Sequence, residues 1–397
     1  MADAAKMAAA ASVAGLAGCF PDVGGHWADA GVVTCPDPDG GVPITPSAPV
    51  TPAVVEVFNP ASVNAQSIIQ PDVVAEMLDA GLTALAQKAA QFNATLPAPS
   101  AGALKSAADT SDADGGVEAA DAGAWGAGSD PGNPWRVLLP GYRPGMRIGL
   151  KINCLNQYLP TSPALVHAIV ISLRDKLGVD PAKIVVWDRY LNEINLHGKY
   201  STDDLAGAQL LGTLLRSWQD GGVPETDADG QPGYGDVITP PVVCQSPRLS
   251  RILTDLTDLT INCPVLKIHL VSGVTAAMKN IYGIIDIPGS YHDPFLQTAL
   301  PRLYALPAIR NSISLNICDA LIAVLNGNTD TQPNGTPGRI LLAQDPVAMD
   351  SYALDLLNQL RTGIGAGLAP VDTSLSKWID HAAAWGLGTK NYLPIKV

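Results

Sequence analysis

The six cysteines, Cys19, Cys35, Cys154, Cys244, Cys263 and Cys318, include no C-x-x-C pair. Zinc ribbons, thioredoxin-type redox pairs and cysteine-held iron–sulfur clusters therefore lack support. There is also no Walker loop, no G-x-S-x-G elbow and no H-E-x-x-H helix, the motifs of phosphate-cradling loops, serine hydrolases and zinc proteases. Positive charge is scarce. With 24 Lys and Arg against 37 Asp and Glu the net charge is −13, which argues against nucleic acid or an anionic membrane surface as partner. Three D-x-D-G stretches, beginning at Asp37, Asp112 and Asp227, lack the third acid and closing Glu of a calcium loop, so turn chemistry accounts for them.

The charge is unevenly placed. Residues 1–135 hold three Lys or Arg and fifteen Asp or Glu, whereas the remaining chain is nearly balanced. Stretches such as "SAPVTPA" and "ATLPAPSAGALKSAADTSDADGGVEAADAGAWGAGSDPGNP" contain few large side chains, and such composition reads as linker. The apolar run from Met7 to Phe20 is too short to span a bilayer but suits a signal-peptide core. It ends in Leu16-Ala17-Gly18-Cys19, which resembles a bacterial lipobox, so an exported chain lipidated at Cys19 is expected, its lipid the only membrane contact. Without lipidation, Cys19 and Cys35 could pair as a disulfide. Cys154, Cys263 and Cys318 lie in apolar strand-like runs and read as small buried hydrophobes.

Beyond the linkers the pattern alternates. "AVVEVF" (53–58) predicts a strand and 71–90 a helix; "RIGLKINCL" (147–155), residues 162–178 and "KIVVWD" (183–188) predict a strand–helix–strand unit. Helix is expected over 247–256, 273–285, 296–312, 345–361 and 374–388, and strand over 259–268, 313–325 and 339–344. This predicts an α/β fold, a mainly parallel sheet with helices on both faces, behind a low-complexity N-terminal region. The expected organisation is a signal-like and Pro-rich segment at 1–52, an α/β domain at 53–368 and a C-terminal helix and tail at 369–397. An acidic linker at about 91–134 and an excursion at 189–240 interrupt the domain.

Ligands bind such sheets outside the carboxyl ends of the strands, and polar residues gather there. In "CPVLKIHLVSGVTAAMKNIYGI" (263–284), Lys267 and His269 are two apart on a strand and share a side. Ser272 and Gly273 are expected to begin a helix whose N–H groups would favour an anion, with Thr275, Lys279 and Tyr282 along one face. The bland alternative is a solvated strand end with snorkelling lysines. His292, in "GSYHDP", is expected on a loop facing the same region, whereas His167 reads as a packed or surface residue.

These residues carry a resemblance. "VLKIHLVSGVTAAMKNIYGII" is similar to the signature of the bacterial and archaeal family called domain of unknown function 362, with its Lys-x-His strand end and Lys-Asn helix. "PGMRIGLKINC" resembles the family strand that carries Lys and Asn, here Lys151 and Asn153. "SPALVHAIVISLRDKLGVDPAKIVVWD" resembles the following helix and strand, ending at Asp188; "LNICDAL" leads to Asp319, and "ILLAQDPVAMDSYAL" carries Asp345 and Asp350. Val265 and Ile268 around Lys267 depart from the family pattern. So does the lack of the ferredoxin-type cysteines that some members add.

The family name implies no reaction, and the sequence identifies no cofactor. Asp345 before Pro346 reads as a helix N-cap. Asp350 within the helix needs a partner, for which Lys151 and Lys267 are candidates. Asp188 and Asp319 could face the crevice or cap neighbouring helices. The expectation is an enzyme acting on a small anionic molecule, with Lys267, His269, Asp319 and Asp350 catalytic. Lys151, Asn153, Asp188, Ser272, Thr275, Lys279, Asn280 and His292 would bind the ligand. The alternatives are a noncatalytic exported binding protein and, third, a metal site of His269, Asp319 and His292.

Overall fold

The computed structural model describes residues 51–93, 132–216, 230–239, 241–243, 246–292, 294–328, 330–363 and 367–397. The lipobox-like segment with Cys19, its potential partner Cys35, and most of the acidic stretch lie outside them. Twelve strands occur among the described residues: Ala53–Phe58 (β1), Ile148–Lys151 (β2), Ile184–Tyr190 (β3), Gln209–Leu214 (β4), Tyr234–Val237 (β5), Arg248–Ser250 (β6), Leu259–Asn262 (β7), Val265–His269 (β8), Gly273–Thr275 (β9), Ile313–Val324 (β10), Arg339–Ala343 (β11) and Leu393–Lys396 (β12). The principal helices are Pro71–Asn93 (α1), Pro163–Ser172 (α2), Leu296–Ala305 (α3), Pro346–Gly363 (α4) and Lys377–Ala384 (α5).

One sheet runs β12-β1-β11-β10-β7-β2-β3-β4, with β8 and β9 attached beyond β10. Pairing is parallel through β10, β7, β2, β3 and β4 and antiparallel around β11, so the sheet is mixed but mostly parallel. Side chains alternate across it. On β10, Leu315, Ile317 and Leu321 enter a core with α1 and α2, whereas Cys318, Ala320 and Ala323 enter a second core with α3, α4 and α5. Helices on both faces are thus what the α/β expectation requires. None of the described helices is long and apolar enough to cross a membrane.

The strand–helix–strand unit forms as its sequence implies. Pro163 opens α2, where its missing N–H costs nothing. A wider helical turn over Leu173–Leu177 continues α2, and Gly178 ends it at φ 74°, a left-handed conformation that favours glycine. The antiparallel partners β1 and β11 join the N-terminal strand to the same sheet as the rest.

Local structure departs from the expectations in several places. The strand expected over 259–268 breaks at Cys263-Pro264, because Pro264 has no N–H for the ladder. Its carbonyl still accepts Asp319 N–H at 2.8 Å, so β8 continues along β10 past the ends of β7 and β2. The helix expected over 273–285 is instead the returning arm of a hairpin, β9, followed by a 3-10 helix over Met278–Ile284. Gly273 at φ 74° turns the hairpin, and β-branched Val274 and Thr275 suit the strand. The region 247–256 is strand β6 and one helical turn, and β4 lies within the stretch taken as an excursion.

Candidate functional site

Strands β2, β3 and β7 end together, and each delivers a polar side chain there. Lys151, the last residue of β2, is 1% exposed. Its Nζ donates to Asp188 Oδ1 at 2.6 Å and to the Ile152 carbonyl at 2.7 Å, with the Trp187 ring 5.5 Å away. Asp188 also accepts the N–H groups of Cys154 and Arg189. An ion pair this buried must be satisfied by such additional bonds to offset its desolvation. Gly283 closes over it: a Cβ there would lie 2.7 Å from Lys151 Nζ and 2.9 Å from Asp188 Oδ1. Gly283→Ala should therefore cost roughly 1–3 kcal/mol by overpacking, measured by urea unfolding.

Beside the pair runs a chain of four asparagines. Asn153 Nδ2 donates to Asn280 Oδ1 at 2.9 Å, Asn280 Nδ2 to Asn262 Oδ1 at 2.8 Å, and Asn262 Nδ2 to Asn316 Oδ1 at 2.9 Å. The register explains the last contact, since Asn262 lies opposite both Lys151 on β2 and Asn316 on β10. Asn153 Oδ1 is buried and makes no hydrogen bond among the described residues.

The second group stands on the hairpin and the 3-10 helix. Lys267 pairs across the hairpin with Thr275, and His269 with Gly273, so Lys267 and His269 do share a side. His269 Nδ1 accepts the N–H groups of Val271 (3.1 Å) and Ser272 (3.2 Å), which leaves the ring proton on Nε2. Lys279 Nζ lies 3.2 Å from His292 Nε2 and 3.7 Å from the centre of the Tyr282 ring. The latter contact suits a 3-10 helix, in which residues three apart eclipse. His292 Nδ1 donates to the Pro288 carbonyl at 2.9 Å, so its Nε2 accepts from Lys279. The two imidazoles stack with centroids 5.7 Å apart.

Electrostatics keeps both rings neutral. Burial, then Lys279, His292 and Lys267, holds His269 well below the usual histidine range. Burial and Lys279 push His292 down to about 3, against the opposing Pro288 carbonyl. The Lys267 charge also opposes the rise of the buried Cys154 thiol, so it acts on both groups of the site.

The family model for Domain of unknown function (DUF362) matches residues 148–355, more than half of the chain and every residue just described. The chain belongs to this family. No curated protein matches its sequence. Among solved structures it is similar to the lactate racemase apoprotein from Thermoanaerobacterium thermosaccharolyticum, with TM-score 0.36 and 8% identity over 57% of this chain and 51% of that one. It is also similar to a protein from Thermotoga maritima, with TM-score 0.36 and 10% identity over 55% of this chain and 56% of that one. The chain thus spans about half the length of either structure.

The DUF362 region gathers most of the expected site residues but reassigns several. Ser272 begins no helix; its Oγ donates to the Val274 carbonyl, so the expected helix-terminal anion site is absent. Thr275 Oγ1 is buried and makes no hydrogen bond among the described residues. Asp319 does not meet the histidines. Its carboxylate accepts Ser162 N–H at 2.7 Å and Leu321 N–H at 3.0 Å, tying β10 to the start of α2, and burial pushes it up to about 6. Asp345 is the N-cap of α4, bonded to Ala348 N–H at 2.9 Å. Asp350 takes neither lysine; its Oδ2 accepts Met278 N–H at 2.9 Å. Among the described residues no three His, Cys, Asp or Glu are placed to hold a metal ion, and of the trio His269, Asp319 and His292 the aspartate is held at α2.

Sequence reasoning missed Asn262, Asn316 and Gly283. The signal for the two asparagines was a polar side chain inside otherwise apolar strands, "LTIN" and "ISLNICDALIAV". For Gly283 there was none, since its role is a close approach to residues far off in sequence. A separate cleft lined by Ser67, Tyr158, Ile322, Gln332 and Asn334 contains none of the charged site residues.

Proposed function

We propose that Lys267, Lys279 and His269 hold a small anion, a carboxylate or phosphate, with His292 orienting Lys279, and that the protein is an enzyme that polarises this anion. The observation that carries this reading is the fixed hydrogen-bond direction around the two imidazoles. His292 spends its proton on Pro288 and accepts from Lys279, while His269 accepts backbone N–H groups and keeps Nε2–H as a donor. Two ammonium groups beside two neutral imidazoles suit an anionic ligand. In this scheme the lysines hold the anion. His269 polarises one of its oxygens as a neutral donor and does not remove a proton, because its Nδ1 is occupied.

Holding without turnover is a second reading. All four side chains are more than nine-tenths buried, which suits retention of a ligand. Calorimetric titration with acetate and phosphate tests the shared part. Lys279→Met and Lys267→Met should each weaken binding by about 1.5–3 kcal/mol, the value of a charged hydrogen bond, with stability unchanged or raised. Failure of the wild type to bind either anion sinks the proposal. Destabilisation by Lys267→Met with affinity intact makes that lysine structural. Incubation with a panel of small carboxylates and phosphate esters, followed by mass spectrometry for any product, separates turnover from holding.

A further inference from the structure

Asp350 lies in the second turn of α4 and is fully buried, yet no cation among the described residues contacts it; its Oδ2 accepts the N–H of Met278 from a different element. The N–H of Ala277 also stabilises its charged form. These are the first donors of the 3-10 helix over Met278–Ile284, and that helix has no side-chain cap of its own. The start of any helix leaves such donors unsatisfied, so Asp350 supplies a cap from across the core. What it caps matters. The next two residues are Lys279, which reaches His292, and Asn280, which joins the asparagine chain. Gly283, one turn on, covers the Lys151–Asp188 pair.

We propose that Asp350 is a positioning residue whose carboxyl sets where Lys279 and Asn280 stand, and whose protonation shifts that placement. The inference rests on the anion-site reading only for its consequence. The carboxyl is poised between two costs. As a carboxylate it is desolvated; as an acid, its Oδ1 has no hydrogen-bond partner among the described residues. The titratable groups that couple to it are Asp345 on its own helix, Tyr304 on α3 and Cys318 on β10. None of these is a cation, and Asp345 raises it further. Its midpoint stands at about 8, driven chiefly by burial. His269 and His292 remain neutral well below that pH, so a change there is not their own titration.

The test uses the full chain carrying ring-labelled histidine, without ligand, followed by NMR from about pH 6.5 to about pH 9.5, a range that brackets an inflection near 8. His292 is assigned with His292→Gln. Its signal should move through a single inflection near 8 in the wild type and stay flat in Asp350→Asn, which keeps an oxygen for Met278 N–H without the charge. A flat wild-type signal, or the same inflection in Asp350→Asn, overturns the inference. If Asp350→Asn does not fold, Asp345→Asn should lower the midpoint by removing a like charge, and an unmoved midpoint overturns it equally. Sulfate, ionised throughout this range, then reports the consequence. Its affinity should change at least about threefold across the same inflection in the wild type and remain constant in Asp350→Asn. Absence of sulfate binding at every pH, with the inflection present, counts against the anion reading alone and leaves the positioning role supported.

Discussion

Replacing Asp188 by alanine should destabilise the fold by about 3–5 kcal/mol, the usual cost of leaving a buried charge without its partner. Lys151 Nζ would keep only the Ile152 carbonyl and the face of Trp187, and Cys154 N–H would lose its acceptor as well. The double replacement Lys151→Met with Asp188→Leu removes both charges, and should recover most of the loss, since apolar substitutes for a buried pair are often neutral or better. Urea unfolding of the two variants checks this. A loss under about 1 kcal/mol for Asp188→Ala would show that the pair contributes as little as a surface ion pair. The comparison also bears on why the pair is there. If the double variant is as stable as the wild type, Lys151 and Asp188 are not needed for folding.

How much of this could be read beforehand depends on the kind of contact. The unit from β2 through α2 to β3 was legible because its cues are local: Pro163 at a helix start, Gly178 at its end, β-branched runs on either side. Asp345 was legible for the same reason, since an N-cap bonds within three residues. The segment 273–285 misled because its apolar positions recur at helical spacing. What overrode that spacing was the hairpin pairing of Lys267 with Thr275, a tertiary contact with β-branched support. Asp319 and Asp350 illustrate the same limit. Asp350 was expected to meet a lysine, and Asp319 either to face the crevice or to cap a neighbouring helix. Both bond backbone N–H groups that lie far away in sequence, Ser162 at the start of α2 in one case and Met278 in the other. A carboxylate is as well satisfied by peptide donors as by a cation, and spacing alone does not show which will be near. The grouping of Lys267, His269, Lys279 and His292, though not a function for it, was legible from one short stretch and a nearby loop. The tautomers that define its chemistry depend on Pro288 and on the hairpin turn, and so required the fold.

The contribution of three buried carboxyls to stability should fall as pH rises from about 4 to about 8, opposite to the trend set by carboxylates in salt bridges. The two histidines held neutral also oppose it, since they favour the fold more as pH rises toward the ordinary histidine range. Burial raises Asp350 to about 8 and both Asp319 and Asp345 to about 6. An unfolded aspartate titrates near 3.9. Between the unfolded and folded values the native state binds more protons than the unfolded state, so stability declines with rising pH through that window. The protonated carboxyls therefore favour the fold fully below about 4, and that advantage is lost by about pH 6 for Asp319 and Asp345 and by about pH 8 for Asp350. Asp350 carries the largest share, on the order of 5–6 kcal/mol, since each tenfold gain in proton affinity on folding is worth about 1.4 kcal/mol. Asp350→Asn, which mimics the protonated form, removes this contribution alone, so the stability of the variant relative to the wild type should rise steadily from about pH 4 to about pH 8 and level off above it. Urea unfolding of the wild type and the variant at intervals across this range gives both curves. Parallel curves would mean that the Asp350 carboxyl ionises at an ordinary pH despite its burial. Its bonds to the 3-10 helix would then be those of a conventional carboxylate cap.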